Sequence, residues 1–190
     1  MNKPGIRALG VAESFREGSK SSVLAGVVMR RDMVVDGVAI GRTSVGGDDA
    51  TSSIVSLYRK LRRNDVNLVM VSGAVLSLYN IVDIDLLSRR IKAPVVCLTY
   101  KETRGIEDAI RRHFPGSSEG KLAAYRALGA RKRVRLASGH DVFVRTAGVG
   151  DAEAASVLDA FSMQGSVPEP VRVARLLARA VSATRPSRRG

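Results

Sequence analysis

The sequence is short of cysteine, histidine and acid. Cys97 is the single cysteine, which excludes an intrachain disulfide and a thiolate zinc cluster. His113 and His140 are the two histidines, too few to build a histidine metal centre. Long apolar runs are missing as well. The longest uncharged stretch lies between Asp65 and Asp83 and is interrupted by Asn67, Ser72, Gly73 and Asn80. It falls short of the roughly 20 apolar residues of a membrane span. Met1 to Leu9 contain Lys3 and Arg7 but no apolar core of the signal-peptide kind. The expectation is a soluble, cytoplasmic protein with no membrane partner. Acids number 18 against 31 lysines and arginines, leaving a net charge of +13.

A chain of 190 residues with 45% hydrophobic residues can bury a core without disulfides or a structural metal. We expect one domain over 1–184 and a frayed basic tail over 185–190. Of the basic residues, 24 are Arg. Guanidinium groups fork onto phosphates, so an arginine excess suits a polyanion, of which nucleic acid is the commonest. Solubility and surface ion pairs are the competing reading. The charge is segregated: Arg131, Lys132, Arg133 and Arg135 are consecutive or nearly so, and no acid follows Glu169. This cluster, with Arg42, is the candidate phosphate-contacting set. Arg172, Arg175 and Arg179 recur on one face of the last helix, where a solvated face is the default and a phosphate-contacting face the sharper alternative.

Apolar and β-branched runs predict strands over 6–12, 23–30 and 33–42, with a turn at Arg31-Asp32 and Gly37 as a bulge. Ile54, Leu57, Tyr58 and Leu61 mark a helix that Asp48 or Asp49 can cap. Continuous apolar runs at 68–71 and 95–100 read as strands buried on both faces, with a helix over 83–92 between them. Helices over 105–114 and 118–128, strands over 133–137 and 142–146, and helices over 152–161 and 168–183 complete the chain. The order β-β-β-α-β-α-β predicts a mixed five-stranded α/β sheet with helices on both faces, followed by a hairpin and helices.

Four stretches are more specific: Gly5-Ile6-Arg7 with Gly10-Val11-Ala12-Glu13-Ser14; Gly41 with Val45-Gly46-Gly47-Asp48-Asp49-Ala50-Thr51; Tyr79-Asn80-Ile81-Val82-Asp83-Ile84; and Val167-Pro168-Glu169-Pro170-Val171-Arg172-Val173-Ala174. Together they resemble an archaeal family of unknown function distantly related to endonuclease V. That resemblance implies a ribonuclease-H-like fold with its site at the carboxyl ends of the central strands. It also implies nuclease chemistry with Mg²⁺ held by carboxylates. The first-strand acid of that pattern falls at Ala12, the second at Ser72 before Gly73, and a third within 46–49. A methyl and a hydroxyl cannot replace carboxylates around a hard dication.

The candidate acids are therefore Glu13, Asp48, Asp49 and Asp83. Glu13 can substitute for Ala12 only if the first strand ends or bulges there, because adjacent strand residues face opposite ways. Asp49 and Asp83 have helix capping as their alternative role. Ala12, Ser14, Phe15, Ser72, Gly73, Tyr79 and Asn80 are the candidate substrate pocket. Phe15, Tyr79 and Tyr100 could stack a base or simply pack at the rim. Cys97 reads as a buried core thiol. The reading is an endonuclease V-like protein that binds DNA or RNA with degenerate metal chemistry and no cofactor. The alternatives are an active Mg²⁺ endonuclease with a migrated carboxylate site, and a protein-binding or regulatory subunit. A homo-oligomer is compatible with each.

Overall fold

A computed structural model describes residues 5–102 and 105–184. The expected basic tail, 185–190, lies outside the described residues. β1 (Arg7–Ser14), β2 (Ser21–Arg30) and β3 (Val35–Ser44) form an antiparallel meander. The turn falls after Arg30, where the Met33 N–H donates to the Arg30 carbonyl. The register slips where Val28 and Met29 face Gly37 and Val35, so the bulged residue is Asp36 rather than the expected Gly37. Its carboxylate is thereby turned onto Arg7 and Arg63.

α1 (Ala50–Lys60) leads to β4 (Leu68–Val71), and α2 (Ile84–Ile91) leads to β7 (Val95–Thr99). β4 pairs parallel with both β1 and β7. Between β4 and α2 lies a small hairpin of β5 (Val75–Leu76) and β6 (Asn80–Ile81). Two-residue strands are too short to show an alternation, and the sequence did not announce them. α3 (Glu107–His113) and α4 (Ser118–Ala127) precede the hairpin of β8 (Lys132–Arg135) and β9 (Asp141–Ala147). α5 (Asp151–Ala160) and α6 (Glu169–Ala183) follow.

The strand order is β3-β2-β1-β4-β7-β9-β8. The five-stranded mixed core is the expected one. The late hairpin joins the same sheet through β9, antiparallel to β7, and extends it to seven strands. Ile54, Leu57 and Leu87 of α1 and α2 pack on Leu9, Val11 and Val69 on one face. Val157 of α5, Phe161 just after it and Val171 of α6 pack on Ala8, Met70 and Leu98 on the other. Among the described residues no helix is long and apolar enough to cross a membrane.

One contact explains why two of the four specific stretches occur together. A Cβ on Gly10 would sit 2.1 Å from the Pro170 carbonyl carbon. Only glycine lets the start of α6 lie directly on the middle of β1. That packing carries α6 across the carboxyl-end edge of β1 and β4, where the candidate site is built.

Candidate functional site

β1, β4 and β7 end at one edge of the sheet. β1 runs regularly to Ser14, which pairs with Val23, so it neither ends nor bulges at Glu13. Ala12 and Glu13 therefore face opposite sides. Ala12 is buried against Val27 and Ala174, on the α6 side. Ser72 continues β4 by donating its N–H to the Val11 carbonyl. Its hydroxyl also turns to the α6 side, where it accepts from Arg175 Nε at 3.0 Å and Nη2 at 2.7 Å. The Arg175 guanidinium lies over the Tyr100 ring, 4.6 Å from its centroid. Burial pushes the Tyr100 hydroxyl up to about 12, with Arg175 pulling the other way.

Glu13 stands on the other side. Its carboxylate accepts from the Ser22 hydroxyl and, at 3.4 Å, from the Ser77 N–H. It lines a cavity of about 400 Å³ with Phe15, Ser77, Tyr79, Thr99, Arg131 and Arg145. A second cavity of about 290 Å³ is lined by Ser72, Tyr100, Lys101, Arg131 and Arg175. Thr99 and Arg131 line both, so the two cavities are neighbours across the strand ends.

The loop over the first cavity is strained. Ser77, Leu78 and Tyr79 have φ of 32°, 60° and 63°, all left-handed and none glycine. Such residues cost of order 1–3 kcal/mol each and need surroundings that hold them. The holders are visible. The Gly46 N–H donates to the Ser77 carbonyl at 2.7 Å. Buried Lys121 donates to the carbonyls of Gly47 and Tyr79 and to Asp48, at 2.8, 3.2 and 2.8 Å. Tyr79 packs its ring on His113 and Phe114. The Ser77 hydroxyl is buried with no hydrogen-bond partner among the described residues.

Beneath this loop lies a buried polar hub. The Asn80 amide donates to Asp49 Oδ1 at 2.7 Å, the Ser44 carbonyl at 2.9 Å and Thr43 Oγ1 at 3.0 Å. Its oxygen accepts from the Ala50 N–H at 2.9 Å and so caps α1. Asp49 holds the N-cap position, but its side chain makes no cap bond, contrary to expectation. Its carboxylate is turned back onto Thr43, Ser44 and Asn80. Burial opposes its ionisation, yet these donors prevail and hold its pKa below the ordinary 3.8. Asp83 does cap α2, accepting from the Leu86 N–H at 2.8 Å.

The basic cluster expected as one unit is divided. Arg131 reaches the strand-end edge, donating to Thr99 Oγ1 and the Lys101 carbonyl. Lys132 pairs with Asp151, and with Asp83 it lines a separate cavity of about 440 Å³ against α2. Arg133 and Arg135 alternate onto one side of the edge strand β8 and share Asp141. Asp141 is held below its ordinary value by Arg133, with Arg135 assisting. Arg42 lies on β3, exposed, and donates to the Ser21 hydroxyl. Two edge residues, Arg145 and Ser77, stand outside the sequence expectations, and a third, Arg175, sits differently from its default. Arg175 departs from the solvated default: it is half-buried and turned onto Ser72, lying four residues after buried Val171 and on its side of the helix. Arg145 lies 5.7 Å from the Tyr125 centroid, brought to the edge by the β7–β9 pairing. No sequence pattern points to Ser77.

The sequence model of the family described as Endonuclease dU matches residues 4–182. The chain belongs to the Endonuclease dU family. A UPF0215 protein of Pyrobaculum calidifontis is 37% identical over 174 residues, covering 91% of this chain and 95% of the relative. A protein of unknown function from Archaeoglobus fulgidus has a solved structure with TM-score 0.79 and 26% identity, covering 93% of this chain and 98% of its own. Endonuclease V of Ciona intestinalis, solved with a 24mer DNA containing an inosine followed by a ribo-adenosine, gives a TM-score of 0.61 at 12% identity. It covers 93% of this chain and 85% of that one. The fold of this Endonuclease dU family member is thus the ribonuclease-H-like fold of endonuclease V.

Endonuclease V-like chemistry implies a divalent metal between the first-strand and β4 positions. The residues of this chain do not fit one. Ala12 is a buried methyl, and the Ser72 oxygen is taken by a guanidinium whose charge repels a dication. Asp49 is saturated by donors from four neighbours. Glu13 faces the opposite side of the sheet. Among the described residues no group of three or more His, Cys, Asp or Glu side chains could hold a metal.

Proposed function

We propose that this protein binds nucleic acid along the carboxyl-end edge of β1, β4 and β7, and that the cavity beside Glu13 receives a deaminated base. The observation that carries this reading is the pairing of Glu13 with the unpartnered, buried Ser77 hydroxyl in one cavity of about 400 Å³. Uracil and hypoxanthine present a ring N–H beside a carbonyl, whereas cytosine and adenine present a lone pair there. A carboxylate accepts from the first and repels the second. In this reading the Ser77 hydroxyl donates to the neighbouring carbonyl. Arg131 and Arg145 line the same cavity and supply charge for the adjoining phosphates. The strained loop 77–79 keeps the cavity formed in the free protein, so little ordering is required on binding.

The family's name and the inosine-bearing DNA of the Ciona structure support a deaminated strand as the ligand. In this reading binding does not use a magnesium ion held in the endonuclease V manner. Candidate acids Asp49 and Asp83, and Asn80, serve the architecture around the cavity rather than its ligand. Arg42, Arg133 and Arg135 lie outside the two edge cavities and extend the positive surface beyond them.

The test is a titration of single strands that differ only in carrying uracil, hypoxanthine, cytosine or adenine, at two salt concentrations. A denaturing gel scores cutting with and without Mg²⁺. Uracil and hypoxanthine strands should bind about ten- to a hundredfold tighter than the others, the worth of a charge-assisted hydrogen bond of about 1.5–3 kcal/mol. Affinity should fall steeply with salt. Glu13→Gln should remove most of the preference while leaving the salt dependence. Equal binding of all four strands, or binding indifferent to salt, refutes the reading. Metal-dependent cutting restores the active-endonuclease alternative.

A further inference from the structure

Arg175 is a half-buried cation with no carboxylate partner among the described residues. Other arginines differ: Arg7 and Arg63 share Asp36, Arg133 shares Asp141, and Arg172 pairs with Glu169. Withdrawing a charge from water without a counter-charge is costly, and such a group favours an anion. Its Nε and Nη2 are committed to Ser72, while Nη1 has no partner among the described residues. The Ser72 hydroxyl accepts both bonds and keeps its own hydrogen, with no acceptor for it among the described residues. The Tyr100 hydroxyl is buried nearby, also without a partner. Arg175, Ser72 and Tyr100 line the cavity of about 290 Å³ together with Lys101 and Arg131, and none of its lining residues is acidic. The cavity thus offers hydrogen-bond donors and positive charge.

We propose that this cavity is a metal-free phosphate site. A tetrahedral phosphate sits against Arg175 Nη1 and the Ser72 and Tyr100 hydroxyls, with Lys101 and Arg131 completing the charge. The stacking of Arg175 on Tyr100 fixes the plane of the fork, and the Gly10–Pro170 contact fixes the helix that carries it. The assignment of the ligand as a phosphodiester of nucleic acid rests on the function proposed above. The affinity for phosphate itself does not.

Two probes distinguish the sources: inorganic phosphate, and a dye-labelled five-nucleotide deoxyuridine-containing strand, each titrated in EDTA and in Mg²⁺. The strand should bind in EDTA within about twofold of its affinity in Mg²⁺. Arg175→Gln should weaken it at least tenfold and reduce the salt slope by about one phosphate contact. Arg175→Lys should recover only part, because a point charge lacks the fork. Tyr100→Phe keeps the ring under Arg175, and should weaken binding severalfold while raising the melting temperature of the free protein. That pair of effects guards against a variant that merely misfolds. Wild-type binding that EDTA abolishes overturns the proposal. So does a folded Arg175→Gln that binds the strand like wild type, and in that case the nucleic-acid reading stands. If no strand binds but phosphate raises the melting temperature of wild type and not of Arg175→Gln, the phosphate site stands and the nucleic-acid reading falls. No response to either probe overturns both.

Discussion

Asn80 is the residue whose loss should reveal most about how the site is supported. It is fully buried and ties its own hairpin to four groups in two other segments, 43–44 and 49–50. Asn80→Ala strips the Ala50 N–H of its acceptor, a loss comparable to removing a helix cap, about 1 kcal/mol. It deprives the Asp49 carboxylate of its shortest donor, at 2.7 Å, and charge-assisted bonds of this kind are worth about 1.5–3 kcal/mol. Thr43 and the Ser44 carbonyl each lose a neutral donor, adding about 1 kcal/mol between them. The expected loss is about 4 kcal/mol at neutral pH, a large share of a typical domain's stability. Urea denaturation of wild type and variant measures it.

The pH dependence supplies a second reading of the same variant. Asp49 is depressed below 3.8 in the folded protein, so its contribution is present above that value and lost as pH falls through the folded pKa. Removing Asn80 relaxes the depression. The cost of the substitution should therefore shrink as pH drops below about 3.8. A loss under about 1 kcal/mol, or one that does not change in acid, refutes the description of Asn80 as a donor to an ionised Asp49.

Gly10→Ala should cost about 3 kcal/mol or more, because the new methyl meets Pro170 backbone rather than a flexible side chain. Thermal melting should show a fall of about 10 °C for a chain of this size, and an unchanged midpoint would refute the close crossing of α6 over β1. Cys97 should resist a thiol reagent at about pH 8 in the folded protein, because burial pushes its pKa to about 12, and should react at once on unfolding. Rapid labelling of native protein would contradict its placement in the core.

The strand and helix order was legible because each element has a local signature. Continuous apolar runs marked β4 and β7, and the stripe from Ile54 to Leu61 marked α1. What was not legible arose from pairing at a distance. Asp49 looks like a cap from its place before a helix, but Asn80 takes that role from another hairpin and frees Asp49 to bind β3. The run from Arg131 to Arg135 looks like one basic patch. Strand alternation and the carboxylates Asp141 and Asp151 divide it. Arg175 looks like one member of an exposed stripe, yet it is turned inward because β4 ends in a hydroxyl beside it.

The sheet core and the basic balance were already set by the sequence, as were the methyl at Ala12 and the hydroxyl at Ser72 where the resemblance to endonuclease V implies carboxylates. These depend on residue type and local period, which a single strand or helix already contains. The tertiary structure alone decided that Glu13 faces away from Ala12's side, that Ser77 is buried without a partner, and that Arg175 lies against Ser72 and Tyr100. Those facts depend on which faces meet when α6 crosses β1 and when a strained loop is clamped by Lys121. Contacts between residues as far apart as Ser72 and Arg175 leave no period or spacing in the chain, so only the folded arrangement contains them.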